Sequence, residues 1–279
     1  RVVLSLTERI SCACAHRVIC VSPSLRQRAL ELELVRSEKA IVLASGSSNG
    51  VDPARFALTP ERLSAAARIR QQHGIGATVP VIGYVGRLTR DKGISELLAA
   101  FSQVRERIPN VVLMLIGGYE PGDPVSPESR TAIETGDGVI HVEFVPDTAP
   151  YYLLMDVLAL PTYREGFPNT VLEAQAAGRP VVTTDATGAV DSISPDATGL
   201  LVRVGDVNAL ADALVGLLSD RELAQRMGSA GRERVFQRFR QEIIWKSLSN
   251  LYYELLRERG LPVPPAFFAE AAPICSDTQ

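Results

Sequence analysis

The sequence predicts an α/β protein built on an open, doubly wound parallel sheet. Two observations carry that prediction. Short β-branched runs alternate with amphipathic helical segments along most of the chain, the pattern of strand–helix–strand units with parallel strands. Most of the strand runs are continuously apolar rather than alternating, as strands covered by helices on both faces must be.

In chain order, strands are expected at residues 17–21, 39–42, 79–85, 111–116, 139–144, 157–160, 180–183 and 200–202. Helices lie between them. Over residues 94–108 the side chains of Ile94, Leu97, Leu98, Phe101, Val104 and Ile108 recur at helical spacing, and Pro109-Asn110 ends the run. Residues 207–218 carry a second apolar stripe, and 221–239 and 241–259 read as two long closing helices. The last presents Ile243, Ile244, Leu248, Leu251, Tyr252, Leu255 and Leu256, a face wide enough to demand burial. Part of that face is expected to stay open or to pack on residues 1–48.

Asn49-Gly50-Val51-Asp52-Pro53 is a turn and linker signal. Only two strands and about two helices precede it, too little for a complete second domain. Residues 1–52 therefore read as the end of a preceding α/β domain plus its linker, with that domain's start missing. Residues 53–240 form the main domain, 241–260 a closing helix, and 261–279, with Pro262, Pro264, Pro265 and Pro273, a loose tail. The chain opens Arg1-Val2-Val3 without an initiator Met, which points to sequence upstream.

Composition narrows the function. The chain's 279 residues suffice for a sizeable core, and 46% hydrophobic with 22% charged residues is ordinary for a soluble globular protein. A formal net charge of -3 gives no global attraction to nucleic acid. The longest apolar run, 111–116, is far too short to span a bilayer. Cys12, Cys14, Cys20 and Cys275 form no CxxC pair, and His16, His73 and His141 are scattered, so no metal site is expected. The thiols read as ordinary ones in a reducing cytosol.

Ligands of open parallel sheets bind beyond the carboxyl ends of the strands, and three loops there hold suggestive residues. After the strand at 79–85 comes Gly86-Arg87-Leu88-Thr89-Arg90-Asp91-Lys92-Gly93. Gly86 permits close backbone approach, and Arg87 and Lys92 place two cations near the start of the next helix, which suits a diphosphate. An ordinary solvated basic loop is the competing reading. After 157–160, Pro161 to Glu173 runs through Glu165, Gly166, Phe167, Pro168, Asn169 and Thr170. Asn169 is the expected N-cap of a helix whose free amides would accept phosphate oxygens. Glu165 lies before that helix and Glu173 about one turn inside it, roughly 6 Å along the axis, so the two could hold hydroxyls at opposite ends of an extended ligand. About one pair of this spacing arises by chance in a chain this long; its place at a strand–loop–helix junction is what makes it informative. The third loop, Gly117-Gly118-Tyr119, suits either a flat ring lying on the backbone or a plain turn.

At these residues the sequence resembles glycosyltransferase family 4, whose members have the GT-B architecture of two Rossmann-like domains. The matching pieces are Gly83-Tyr84-Val85-Gly86-Arg87-Leu88, Asp91-Lys92-Gly93, Leu115-Ile116-Gly117-Gly118, the stretch 156–168, Glu173-Ala174, the stretch 178–185 and Thr198-Gly199-Leu200-Leu201-Val202. They follow one another in order across about residues 80–205. Val18-Ile19-Cys20-Val21-Ser22 and the stretch 46–52 look like the end of the family's N-terminal domain and its linker.

The resemblance implies roles. Arg87 and Lys92, with Gly86, match the group that neutralises the sugar donor's diphosphate. Glu165 matches the carboxylate that meets the sugar near the reacting carbon and is the catalytic candidate. Gly166, Phe167, Asn169 and Thr170 match the turn whose amides meet sugar and phosphate. Glu173 matches the ribose-binding Glu, and Val145 lies near the place where the base is held through the main chain. No cofactor or bound metal is implied. The stretches 163–167 and 183–189 look most like the bacterial branch that builds capsule, exopolysaccharide and lipid-linked oligosaccharide. That branch implies a retaining transfer of a hexose or N-acetylhexosamine from a nucleotide sugar, often UDP-linked, to a lipid-linked or glycan acceptor. It also implies a cytoplasmic protein, with peripheral membrane contact through the missing N-terminal domain. The chain alone is expected to bind nucleotide without transferring sugar.

Two other readings compete. One is a UDP-sugar epimerase of the same architecture, for which the 86–93 loop and the Glu165-Gly166-Phe167-Pro168 junction give no support. The other is a nucleotide-sugar-binding module without catalysis. A NAD-type Rossmann domain is disfavoured, since no G-x-G-x-x-G follows a first strand.

Overall fold

The structure, a computed structural model, describes residues 2–263. From residue 264 on, the expected tail, with Cys275, lies outside the described residues. In order, the elements are α1 (Val2–Cys14), β1 (Val18–Cys20), α2 (Pro23–Glu31), β2 (Ala40–Val42), α3 (Pro60–Gln72), β3 (Val81–Val85), α4 (Ile94–Arg107), β4 (Val112–Ile116), α5 (Pro127–Thr135), β5 (Val139–Val142), α6 (Ala149–Leu154), β6 (Val157–Leu160), α7 (Asn169–Ala176), β7 (Val181–Thr184), β8 (Gly199–Val202), α8 (Val207–Ser219), α9 (Arg221–Arg238) and α10 (Gln241–Glu258). Short 3-10 turns stand at Pro53–Phe56, Arg90–Lys92 and Val190–Ser192.

The expected parallel sheet is present. Six strands lie in the order β5-β4-β3-β6-β7-β8, and β1 and β2 form a separate parallel pair. Every pairing is parallel: Val81 of β3 faces Val112 of β4, and Ile82 faces Val157 of β6. Every residue of β3, β6 and β7 is buried, so both faces are covered, which is why these runs are apolar without alternation. The strand order reverses at β3, with β4 on one side and β6 on the other. That reversal opens a crevice beyond the strand ends.

The helices pack by their sequence stripes. In α4, Ile94, Leu97, Ala100, Phe101 and Val104 are buried, and α8 packs on this helix and on β6, β7 and β8. Each fully buried Leu or Phe contributes roughly 1.5–3 kcal/mol from its lost contact with water. α3 packs with α6 and α7 with α9.

All eight expected strands occur, with shifted ends. β7 was expected from Pro180 but begins at Val181, because proline has no amide to give the ladder. β5 stops at Val142 rather than residue 144; it is an edge strand, and Phe144 is 82% exposed. α3 and α5 did not stand out by apolar periodicity. Their starts are nevertheless written in the chain: Thr59 and Ser126 cap them by accepting the Arg62 and Ser129 amides, each with Pro in the first helical position.

α10 reaches back to the start of the chain. Its Glu258 pairs with Arg17 at 2.8 Å, and Trp245 Nε1 donates to Asn49 Oδ1 at 2.7 Å. Ile244 and Leu251 are buried, whereas Tyr252 is 57% exposed. α10 thus reaches the start of the chain through Glu258 and Trp245, and of the expected apolar face Tyr252 remains open.

Candidate functional site

The loops after β3, β4, β6 and β7 meet beyond the carboxyl ends of the strands. The 3-10 turn Arg90–Lys92 is stitched to the loop after β6: the Asp91 carbonyl accepts the Tyr163 amide at 2.9 Å and the Thr162 hydroxyl at 3.2 Å. The Asp91 carboxylate accepts from the Thr89 hydroxyl at 2.6 Å and Arg164 Nε at 3.2 Å. Burial alone would push this carboxyl up, but those partners outweigh it and hold Asp91 below its ordinary value.

This stitching brings Lys92 to Glu165, Nζ to Oε1 at 2.5 Å, with side chains only 16% and 13% exposed. The pair is a charge-assisted contact in a largely water-free setting. Tyr84, fully buried in β3, donates its hydroxyl to the Arg87 carbonyl at 2.6 Å and so shapes the loop from beneath. Burial, and then the negative charges of Glu165 and Asp91, push this hydroxyl far above its usual range.

Arg87 stands apart from Lys92. It is exposed, and its guanidinium lies 3.2 Å from the Glu120 carboxylate on the loop after β4. Gly86 and Gly117 pack backbone to backbone; a Cβ at Gly117, where φ is +138°, would strike the Gly86 carbonyl. His141 Nε2 lies 2.8 Å from the Gly117 carbonyl. Of the two readings of Gly117-Gly118, these contacts favour the packed turn.

The loop after β6 carries one correction. Asn169 is not the N-cap of α7; Pro168 occupies that place in an extended conformation, and Asn169 is the first helical residue. The reason is a long-range contact: Asn169 Oδ1 accepts from the Ser47 hydroxyl at 3.1 Å, so its side chain faces the segment before the linker rather than its own helix. The amides of Asn169 and Thr170, in the first turn, still have no acceptor within the helix. Phe167 packs its ring on Phe239, with centroids 5.4 Å apart, and lies against Gly46. Its side chain is therefore structural, and only its backbone is left for a ligand. Gly166 lies against Val21.

Glu173 is the fifth residue of α7 and is mostly withdrawn from water. Tyr152 donates its hydroxyl to Glu173 Oε2 at 2.8 Å. Burial raises the carboxyl above its ordinary 4.5, against the opposing pull of Tyr152 and Arg55. Val145 is half-buried in the loop after β5 and packs on the core. The structure thus joins Lys92 to Glu165, sets Glu173 in the helix that follows Glu165, and leaves Arg87 on the same loop as Lys92 but paired with Glu120.

Tyr84, Asp91 and Tyr152 were not read as site residues. Tyr84 and Tyr152 sit inside apolar runs and look like core; only their hydroxyls mark them, and those bonds form through tertiary contacts. Among the described residues, no group of three or more His, Cys, Asp or Glu gathers to hold a metal ion, and no helix is long and apolar enough to cross a membrane.

Comparison with known proteins follows this geometry. Residues 66–234 match the family described as glycosyl transferases group 1. The chain is 36% identical over 256 residues to the capsular polysaccharide biosynthesis glycosyltransferase CapM of Staphylococcus aureus, covering 92% of this chain and 66% of the relative. It is 32% identical over 221 residues to the GDP-mannose-dependent alpha-(1-6)-phosphatidylinositol monomannoside mannosyltransferase of Mycolicibacterium smegmatis, covering 75% and 55% of the two. The chain thus spans less than two thirds of these relatives' length. Among solved structures, sucrose-phosphate synthase from Thermosynechococcus elongatus superposes with a TM-score of 0.79 at 30% identity, over 92% of this chain and 63% of that one. Anabaena HepE in complex with UDP-glucose superposes at 0.77 and 24% identity, over 89% and 68%, a likeness of fold. The parallel sheet is the Rossmann-like sheet of GT-B C-terminal domains.

Proposed function

The chain belongs to the group 1 glycosyl transferases, glycosyltransferase family 4, and on that premise we propose that it forms the sugar-donor side of a retaining transferase. The enzyme moves a hexose or N-acetylhexosamine from a nucleotide sugar, UDP-linked, to a lipid-linked or glycan acceptor in surface polysaccharide synthesis. The observation that carries this reading is the Lys92–Glu165 pair across the carboxyl ends of β3 and β6, on the loop that leads into α7. A cation, a carboxylate and a helix start meeting at one strand switch point suit a sugar diphosphate.

In this reading the bond between the sugar's anomeric carbon and the β-phosphate oxygen breaks, and the electron pair leaves with the diphosphate. Lys92, Arg87 and the Asn169 and Thr170 amides take up the growing negative charge, so no metal ion is required. Lys92 must turn from Glu165 toward the phosphate for this, which frees Glu165 to accept sugar hydroxyls. Glu173 accepts the ribose hydroxyls, and the main chain at Val145 faces the base. The acceptor hydroxyl enters from the face the phosphate leaves, its oxygen bonds the anomeric carbon and its proton passes to the departing phosphate oxygen, which retains configuration. Residues 1–52 belong to the acceptor side and residues 53–240 to the donor side. A lipid-linked acceptor would bring the enzyme to the cytoplasmic face of the membrane as a peripheral protein.

Similarity to both a capsule enzyme and a GDP-mannose-dependent one makes the base the first thing to test. Calorimetry of this chain with UDP and GDP is expected to show saturable binding with UDP preferred. Release of UDP from UDP-glucose and UDP-N-acetylglucosamine by the natural full-length protein, against GDP from GDP-mannose, completes the test. Preference for GDP-mannose overturns the UDP assignment, and failure to bind either nucleotide overturns the site.

A further inference from the structure

The Glu165 loop is held from outside its own sheet. Ser24, the second residue of α2, donates its hydroxyl to Asp191 Oδ2 at 2.5 Å, and its amide donates to the same oxygen at 2.9 Å. The hydroxyl oxygen in turn accepts the Gly188 amide at 2.7 Å. Gly188 has φ +80°, and its Cα lies so close to the Glu165 and Gly166 carbonyls that a Cβ there would strike both. The preceding residue, Thr187, accepts the Glu165 amide at 3.0 Å. One hydroxyl therefore sits in a continuous run of contacts from α2 through the turn after β7 to Glu165, and from Glu165 to Lys92.

The far end of this clasp is fixed. Arg234 donates to the Asp191 and Ser192 carbonyls, each at 2.8 Å, so Asp191 cannot drift with Ser24. On the other flank of the loop, Ser47 holds Asn169 at 3.1 Å, and its amide donates to the Val21 carbonyl at 2.7 Å. The segment Glu165 to Asn169 is thus pinned at both ends by residues that precede the linker.

We propose that Ser24 is a positioning residue for sugar transfer. Its hydroxyl fixes the turn at Thr187 and Gly188, and through it the seat of Glu165 opposite Lys92. This rests on the reading of Glu165 as the sugar-contacting carboxylate. Without the hydroxyl, the Asp191 carboxylate and the Gly188 amide lose a shared partner in a half-buried gap, and the Glu165 backbone gains freedom where geometry decides rate. In the same reading UDP is held by Glu173, Arg87, the main chain at Val145 and the start of α7 as well as by Lys92, and Ser24 bonds none of these, so affinity should change less than turnover.

The test compares Ser24→Ala and Ser24→Thr with the native sequence. In the natural full-length protein, kcat for UDP release from UDP-glucose is measured alongside the Kd for UDP; in this chain, amide exchange is followed at Glu165 and Gly188. Ser24→Ala is expected to lower kcat on the order of tenfold and to speed exchange at both amides, with the Kd changed by less than about twofold. Ser24→Thr, which keeps the hydroxyl, is expected to restore both. An unchanged kcat in Ser24→Ala, an equal loss of UDP affinity, or a Ser24→Thr no better than Ser24→Ala overturns the proposal. Should Ser24→Ala fail to fold, Asp191→Asn weakens the same clasp from the other side; faster exchange at Gly188 supports the proposal and unchanged exchange overturns it. A full-length protein that turns over no nucleotide sugar sinks the functional reading instead, and the exchange comparison then decides the clasp alone.

Discussion

Lys92 and Glu165 stand 2.5 Å apart across the carboxyl ends of β3 and β6, each side chain more than four-fifths withdrawn from solvent. In the proposed reading, a nucleotide sugar entering this crevice competes with that contact, and Lys92, released from Glu165, joins the groups that neutralise the leaving diphosphate.

The two cations should therefore differ. An interaction that strengthens as charge grows on the leaving group acts on turnover, and one such donor is worth about 3–4 kcal/mol. Lys92→Ala should approach that loss in kcat. Arg87, on the same loop, is exposed and paired with Glu120 on the next one, so Arg87→Ala should cost clearly less. Steady-state kinetics of both variants in the full-length protein checks the order; an Arg87→Ala loss larger than that of Lys92→Ala contradicts it.

Glu173 gives a pH signature. Its carboxyl lies above the ordinary 4.5 because of burial, and in its proposed role it is ionised when it accepts the ribose hydroxyls. UDP affinity should fall on acidification through a limb that lies above pH 4.5, and Glu173→Gln should erase that limb. The sign for stability is opposite: a carboxyl raised in the fold binds its proton more tightly there, so its contribution is fully present below 4.5 and is lost as pH rises through the raised value. Tyr152→Phe, which removes a hydrogen bond to the ionised form, should move the limb further up. Calorimetry from pH 4 to pH 8 reads the native protein and both variants, and a native profile flat across the acid range contradicts the role.

Gly188 is a position where a methyl group should be costly. Its φ of +80° is one that side chains rarely adopt, and the added Cβ would strike the Glu165 and Gly166 carbonyls. Gly188→Ala should lose on the order of 1–3 kcal/mol of stability, read by urea unfolding, and should slow turnover at the same time. A variant as stable and as fast as the native protein would show that this backbone is not constrained.

The sheet was legible because burial on both faces writes itself as uninterrupted apolar runs: β3, β6 and β7 are buried throughout and appear near their expected places. Lys92, Glu165 and Glu173 were legible from their loops and from the family resemblance. The Pro168 cap was not, since Asn169 is the better cap by residue type, and only the contact with Ser47, 122 residues away, turns its side chain elsewhere. Ser24 and Asp191 were hidden for the same reason. They lie 167 residues apart and meet only when the start of the chain docks on the turn after β7.

The most direct test of the account is the contrast between the two glutamates, measured as kcat and KM for sugar transfer by the full-length protein carrying Glu165→Ala or Glu173→Ala. In the proposed reading Glu165 meets the reacting sugar, so its loss should lower kcat with little change in KM. In that reading Glu173 meets the ribose alike in ground and transition states, so its loss should raise KM and leave kcat nearly intact. If both substitutions raise KM equally and spare kcat, the division between a sugar-contacting carboxylate at the crevice mouth and a ribose-holding one inside α7 is wrong.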